Sequence, residues 1–367
     1  MRILIVGGGI AGFAMARALE RQGLEPDLIE RRQDETPGGM GFYLPGNAGR
    51  ALEQLGLLES VRAVAAVIHT QRIMDQRGRI LTVTDTQDFW RDCGPCLSLP
   101  RNALHAILRG ALERTRTRFG VSITGMTPSA EACEVAFSDD TTATYDLVIG
   151  ADGIDSTVRR MIFPAVQPSY VGNVCWRFIT HNSPGIDGWT AMLGKGRTLL
   201  AIPVSREQVY VYADMALAEA DADRVRHASL ESLFADFAEP LLPLLAQAGQ
   251  DTHFGSIQQV VMQDWYRGRA VLIGDAAHAS SPSMAEGAGM ALEDALALAE
   301  ALAAHQDVAS ALQAYSARRK PRVDWVQKQC VARDKMRTLP TPARNVILRW
   351  LGDRLYKRSY TPLLASL

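Results

Sequence analysis

The sequence predicts an α/β protein: a parallel sheet flanked by helices, interrupted by an antiparallel sheet and followed by a helical tail. Three observations carry this expectation. Residues 1–12, MRILIVGGGIAG, read as a buried strand, a glycine turn and a helix. Residues 269–295, RAVLIGDAAHASSPSMAEGAGMALEDA, repeat that pattern more than 250 residues later. From residue 170 to 214 the pattern changes to period two, in VCWRFIT, WTAML, TLLAIPV and VYVYADM, as half-buried antiparallel strands require.

The elements follow in order. Residues 2–6 are a continuous apolar run, as expected of a central parallel strand. Ala11 to Glu20 reads as a helix ending near Gly23, and Pro26 to Glu30 as the second strand. Together they form a βαβ unit of about 30 residues, the size of a dinucleotide-binding unit. Residues 36–45 read as a loop and Asn47 to Leu57 as a helix. Residues 71–74 and 79–84 form a hairpin around Arg77-Gly78, and Asn102 to Thr117 a long amphipathic helix. Strands are expected at 121–124, 132–137 and 146–153, the last ending in a glycine turn. A helix is expected over 228–248, a return to the parallel core at 270–274, and a helix from Met284 to Ala303. The tail is helical and broken at Pro340 and Pro342. The first fold is thus interrupted and resumed. Residues 1–70, 98–165 and 265–325 form one discontinuous domain, 71–97 and 166–264 a second, and 326–367 the tail.

Composition narrows the function. A chain of 367 residues supports two domains, and 47% hydrophobic with 22% charged residues is ordinary for a globular protein. A net charge of −1 gives no argument for nucleic acid. The charge is uneven, however. Residues 318–367 hold 13 Lys+Arg against 3 Asp+Glu, a net of +10, and the rest carries −11. Such a tail fits a solvated helical face, or contact with an anionic membrane or an acidic partner. No apolar run approaches the ~20 residues of a membrane span, and the first residues do not read as a secretory signal. Five cysteines form no disulfide framework, so a reducing cytoplasm is expected. Cys93-Gly-Pro-Cys96 spells a dithiol motif, but the extended Leu-Ser-Leu-Pro that follows offers no helix N-terminus to activate a thiol. No residue cluster supports a metal site.

The glycine turns carry the chemistry. Gly7 permits the tight turn, Gly9 lets the backbone approach a pyrophosphate, and Gly12 lets the helix pack on the strand. Free N–H groups and the helix dipole then favour phosphates. Glu30, 18 residues after Gly12, ends the second strand and can accept both hydroxyls of an adenosine ribose. These residues leave NAD and FAD open. Asp275 points to FAD: a carboxylate ending a buried strand is costly without partners, which polyol hydroxyls near a pyrophosphate would supply. The competing role is a helix cap. Pro282, Gly287 and Gly289 form a loop without bulk, whose amides can face a flavin ring. Glu286 is expected to point outward from it.

The motif set resembles the single-component group A FAD-dependent monooxygenases, the aromatic-ring hydroxylases that include p-hydroxybenzoate and salicylate hydroxylase. GGGIAG with Glu30 matches the FAD-binding unit. ADGIDSTVRR matches the DG motif at Asp152, Gly153, Ser156 and Arg159, which in the family serves FAD and the visiting nicotinamide cofactor. GDAAHASSP matches the GD motif, with Asp275 toward the ribityl or pyrophosphate region. Arg101 in LPRNALHAIL matches the arginine that contacts the FAD chain. The resemblance covers about residues 1–325. The loop EGAGM, Glu286 to Met290, departs from the family's frequent GQGxN.

The resemblance implies a Rossmann-like FAD-binding fold of the glutathione-reductase type with a mixed or antiparallel-sheet substrate domain. It implies tightly but non-covalently bound FAD, NAD(P)H as a transient co-substrate, and O2. In the family, reduced flavin and O2 form a C4a-hydroperoxide that hydroxylates an aromatic or polycyclic small molecule. The flavin performs this chemistry, so no side chain is assigned as catalytic; Pro282 and Gly287 lie near its ring. The expected cofactor-binding set is Gly7, Gly9, Ala11, Gly12, Glu30, Arg31, Arg101, Asp152, Gly153, Arg159, Gly274, Asp275, Pro282, Gly287, Ala288 and Gly289. Substrate candidates are Trp176, Arg177, Tyr210 and Tyr212. Tyr210, Tyr212 and Asp214 share one strand face, and Trp176 and Phe178 oppose Arg177. His278 reads as a packed residue beside the flavin or as a base. The chain is expected to be a cytoplasmic monomer or homodimer without a nucleic-acid partner or an integral membrane segment. Two alternatives share the fold: a flavin reductase of the geranylgeranyl-reductase type and a flavin-binding sensor without turnover.

Overall fold

The computed structural model describes residues 1–33 and 40–367. Its centre is a six-stranded sheet in the order Tyr266–Arg267, Ala270–Leu272, Leu147–Gly150, Ile3–Val6, Asp27–Glu30 and Arg116–Phe119. The strands run parallel except Tyr266–Arg267. Ile3–Val6 and Leu147–Gly150 are buried throughout, so both faces select apolar residues and the sequence shows no alternation. Helix Ile10–Arg21 packs against helix Gly287–Ala304, bringing together segments distant in sequence.

A seven-stranded sheet follows the order His253–Gln259, Ser169–His181, Gln208–Ala216, Arg197–Pro203, Trp189–Leu193, Thr70–Asp75 and Ile80–Asp85. It is antiparallel except where Trp189–Leu193 meets Thr70–Asp75. The period-two reading holds here: Val174, Trp176, Phe178, Val209, Val211 and Ala213 belong to one core, while Cys175, Tyr210 and Tyr212 belong to the core on the opposite face.

Several expected elements differ. The loop at 36–45 contains strand Gly41–Leu44, paired with Leu97–Pro100; residues 36–39 lie outside the described residues. The helix expected to reach Thr117 spans Arg101–Gly110. Buried Glu20 ends it early: its carboxylate accepts from the N–H groups of Glu113, Arg114 and Thr115, at 2.7 Å for Thr115, and turns the chain into strand Arg116–Phe119. The helix expected over 228–248 is two short turns, Leu230–Leu233 and Leu242–Gln247. Pro240 and Pro243 remove the N–H groups a continuous helix needs. The helix expected from Met284 begins at Gly287, after a single turn, Pro282–Met284. The tail breaks where Pro340 opens helix Thr341–Leu364, with Pro342 in its first turn. The preceding helix, Val308–Thr338, runs unbroken through Pro321.

Candidate active site

Strands Ile3–Val6, Leu147–Gly150 and Ala270–Leu272 are neighbours, so the turns at their carboxyl ends meet. Parallel α/β sheets place ligands at such ends. Close contacts force three of the glycines. Gly7 has φ +109°, and a Cβ there would lie 2.6 Å from the Ala151 carbonyl oxygen. A Cβ at Gly12 would lie 1.8 Å from the Gly7 oxygen. Gly274, at φ +58°, is wedged between Ala11 and Ala291, 3.0 and 3.3 Å from its ideal Cβ position. Gly9 differs: nothing lies within 4 Å of its Cβ position, which leaves room before the helix N-terminus. Glu30 ends its strand beside this turn. One carboxylate oxygen accepts from Gly8 N–H at 2.7 Å and the other from Arg32 N–H at 2.9 Å, with Arg31 exposed between them.

The DG turn is built differently from expectation. Asp152 accepts from Ser156 Oγ, Thr157 N–H at 2.6 Å and Val158 N–H at 3.1 Å, fastening the start of helix Thr157–Ile162. Burial pushes its carboxyl up, and these bonds oppose the push. Gly153, at φ +77°, has open space at its Cβ position. Arg159 requires a correction. It is fully buried and offers no surface to a nucleotide. Its guanidinium donates to the carbonyls of Ile154 and Ala276, the latter at 2.9 Å, and so ties the DG turn to the GD helix.

Asp275 is exposed at the start of helix Asp275–His278 and makes no hydrogen bond among the described residues, so it is not a helix cap. The Cβ position of Gly287 lies 3.9 Å from its Oδ1, which places the loop after Pro282 against it. Pro282 and Gly287 are exposed there, Ala288 half-buried and Gly289 buried. Arg101 stands across. Its N–H donates to the Met40 carbonyl at 2.8 Å; the residue is exposed, and its guanidinium is only partly desolvated by the groove. That desolvation pushes its pKa down; Asp275 opposes the shift, and Arg177 and Arg32 add to it. Arg101 thus links the turns electrostatically to the seven-stranded sheet.

Glu286 points inward, against expectation. It is buried; Oε2 accepts from Asn47 Nδ2 at 3.0 Å and Oε1 has no partner. Burial pushes its pKa up to about 8, with Glu293 adding to the shift and Asn47, Arg322 and Arg333 opposing it. The shift favours the neutral acid, which matches the glutamine common in related loops. Gly289 makes the inward turn possible: a Cβ there would lie 2.8 Å from Glu286 Oε2.

Behind the loop lies a buried ionic network that the sequence reading missed. Arg319 donates to Glu293 at 2.6 Å and Asp294 at 2.8 Å, and Arg322 grips both Glu293 oxygens at 2.8 Å. Asp294 also accepts from Gly274 N–H at 2.9 Å and meets His278 Nε2 at 2.6 Å. Burial raises the Asp294 pKa, but His278 and Arg319 outweigh it and hold the group at about 2. His278 is thus a packed member of the network. The available signal was an acid pair within an alanine- and leucine-rich helix, matched by two arginines three residues apart on the next helix.

The substrate candidates separate. Arg177 pairs with Tyr212 across strands, and Tyr210 is nearby on the same face. Gly41 packs on Tyr210, since a Cβ at that glycine would lie 2.7 Å from the Tyr210 Cβ, which seats this face beside the Arg101 segment. Tyr212 donates to Asp214 at 2.8 Å, and Arg337 from the tail bonds both Asp214 and Ser283. Burial, then Asp214, raises the Tyr212 pKa, so the phenol stays protonated. The Arg177 Nε is buried without a partner. Trp176 requires a correction: it lies on the opposite face, 5.3 Å from Phe254, in the other core. The thiols of Cys93 and Cys96 are free and buried, which raises their pKa values to about 11 and about 12, the reverse of redox activation. No cluster suited to a metal occurs among the described residues.

Turns at the ends of parallel strands, an acid on the second strand and an unbonded aspartate across the groove define a dinucleotide-binding flavoprotein class. Comparison with known proteins agrees. Residues 1–329 match the family model described as FAD binding domain. The chain is 31% identical to 2-heptyl-3-hydroxy-4(1H)-quinolone synthase of Pseudomonas aeruginosa, over 98% of each chain. It is 30% identical to the FAD-dependent urate hydroxylase of Klebsiella pneumoniae, over 88% of this chain and 87% of the relative. The crystal structure of Klebsiella pneumoniae HpxO complexed with FAD and uric acid superposes with a TM-score of 0.90 at 26% identity, covering 99% of this chain and 97% of that one. The chain belongs to this FAD-binding family and is an FAD-dependent monooxygenase of the aromatic-hydroxylase group.

Proposed function

We propose that the protein is an NAD(P)H- and O2-dependent hydroxylase of an aromatic ring, and that the ring is an oxo- or hydroxy-substituted nitrogen heterocycle. The observation that carries the reading is the convergence of three turns on one groove, with Arg177, Tyr210 and Tyr212 on a sheet face reached through Arg101. The relatives named for a quinolone and for urate support the substrate class.

The groove residues fit FAD. The open space at Gly9 and the helix N-terminus behind it suit a pyrophosphate, with Gly7, Ala11 and Gly12 shaping the turn. Glu30, beside Arg31, suits the adenosine ribose. The DG turn, through Gly153, and Gly274 close the groove, and Asp275 and Arg101 suit the ribityl and phosphate chain. Pro282, Gly287, Ala288 and Gly289 suit the ring, because none brings bulk and the N-terminus of helix Gly287–Ala304 opens there. When bound, FAD accepts a hydride from NAD(P)H and activates O2. The chain's own residues orient and exclude. Arg177 offers a cation to a ring oxygen, the protonated Tyr210 and Tyr212 line the same wall, and Arg337 holds that wall to the Ser283 loop.

The test uses purified holoprotein with 4-quinolones, urate and hydroxypyridines. The reading expects FAD on heat release, substrate-stimulated NAD(P)H oxidation and a product heavier by one oxygen. Reduction without oxygen incorporation would favour a reductase instead.

A further inference from the structure

Helix Thr341–Leu364 is held by one side only. Gly352 lies against Thr82, whose Cβ is 2.7 Å from the Cβ position of that glycine, and Leu348 joins Leu81 and Leu193 in a small apolar cluster. The opposite side is unpartnered. Trp350 is 82% exposed and Val346, one turn earlier, 55%; Leu351 is exposed beside them. A tryptophan of that exposure leaves a large apolar surface in water. Strand Ile80–Asp85, on which the helix lies, also exposes Ile80 and Val83.

Basic charge predominates around Trp350. Most arginines in the basic tail are engaged internally, as Arg319, Arg322, Arg337 and Arg344 are. Arg349, Arg354 and Arg358 are exposed and have no acidic partner among the described residues. The acid on the same stretch, Asp353, is occupied by Lys357 at 2.8 Å. The outer face therefore runs from apolar side chains to unpaired guanidinium groups.

We propose that this face docks on an anionic phospholipid membrane. Trp350 and Val346 enter the headgroup boundary, and Arg349, Arg354 and Arg358 meet lipid phosphates. Charge complementarity selects this occupant. A second copy using the same face would set like arginines against one another across the twofold axis. No helix among the described residues is long and apolar enough to cross a membrane, so the contact is peripheral. The proposal does not rest on the assigned reaction.

Flotation of the holoprotein with vesicles tests it. Protein is expected to rise with phosphatidylcholine vesicles containing phosphatidylglycerol, to stay behind with pure phosphatidylcholine, and to be released by high salt. Trp350→Ala is expected to abolish flotation, and each Arg→Gln change at 349, 354 or 358 to weaken partition roughly fivefold. FAD content and circular dichroism should match wild type, which separates lost docking from lost folding. The proposal is overturned if the protein floats with neither vesicle, or if these variants float like wild type. A Trp350-dependent dimer in sedimentation velocity, without vesicle binding, overturns it in favour of a second copy.

Discussion

The two ends of the groove are held by opposite physics. At the Gly7–Gly12 end, backbone meets backbone, and the absence of a side chain is the structural device. At the Asp275–Gly289 end, position depends on charge: Glu293, Asp294, Arg319, Arg322 and His278 are packed together behind the loop. The first end is fixed by one βαβ unit and by the DG turn that meets Gly7 at Ala151. The second needs helices Gly287–Ala304 and Val308–Thr338 to be docked already. Steric closure tolerates changes of pH and salt, whereas a buried network is sensitive to the loss of any one partner.

The largest expected effect lies in the network. Arg319→Ala leaves Glu293 with Arg322 and Asn47, and Asp294 with His278 and the Gly274 N–H, both acids still buried and each short of one cation. Removing one partner of a buried charge group costs about 3–5 kcal/mol. Urea unfolding should show a loss of that order, and a loss under about 1 kcal/mol would mean that water enters the site. Gly12→Ala comes next. Its Cβ meets a backbone oxygen at 1.8 Å, which cannot rotate away. A cost of about 3 kcal/mol, the upper part of the overpacking range, is expected together with loss of FAD. Full cofactor content in this variant would refute the view that this end is closed sterically.

Asp275→Asn probes the groove between the two ends. The carboxylate has no protein partner, so the fold should be unaffected. Hydrogen bonds to a charged group contribute about 1.5–3 kcal/mol, so FAD should dissociate more readily by about that amount. Fluorescence titration of apoprotein with FAD measures it; equal affinity would remove Asp275 from the cofactor site.

The contrast also explains what was legible in the sequence. Gly7, Gly12 and Gly274 could be read because each glycine answers a local backbone demand. The alternation around Arg177 separated the sheet faces, but not which face met which core; Trp176 fell on the far side. Arg159 kept its motif position yet proved a buried strut, because a motif fixes spacing and not the direction of a long side chain. Helix ends were lost where a distant group intervened, as Glu20 does at Thr115. Glu286 was misplaced for the same reason: its partner Asn47 is 239 residues away.

Glu286→Gln has its smallest effect at low pH and tests the charge-held end most directly. Its folded pKa, about 8, lies above the ordinary 4.5. The folded state therefore holds a proton that the unfolded state releases. The associated stability is complete below about pH 4.5, falls as pH rises, and is lost above about pH 8. Glutamine keeps the neutral shape and has no proton to lose. Glu293, Arg322, Arg333 and Tyr360 still face the site in both proteins. Denaturation midpoints should nearly coincide at low pH and diverge on raising it, with the variant more stable in alkali. The opposite divergence, with wild type gaining in alkali, would mean that Glu286 is an ionised partner of Arg322 and Arg333. The neutral acid would then no longer account for its place in the loop.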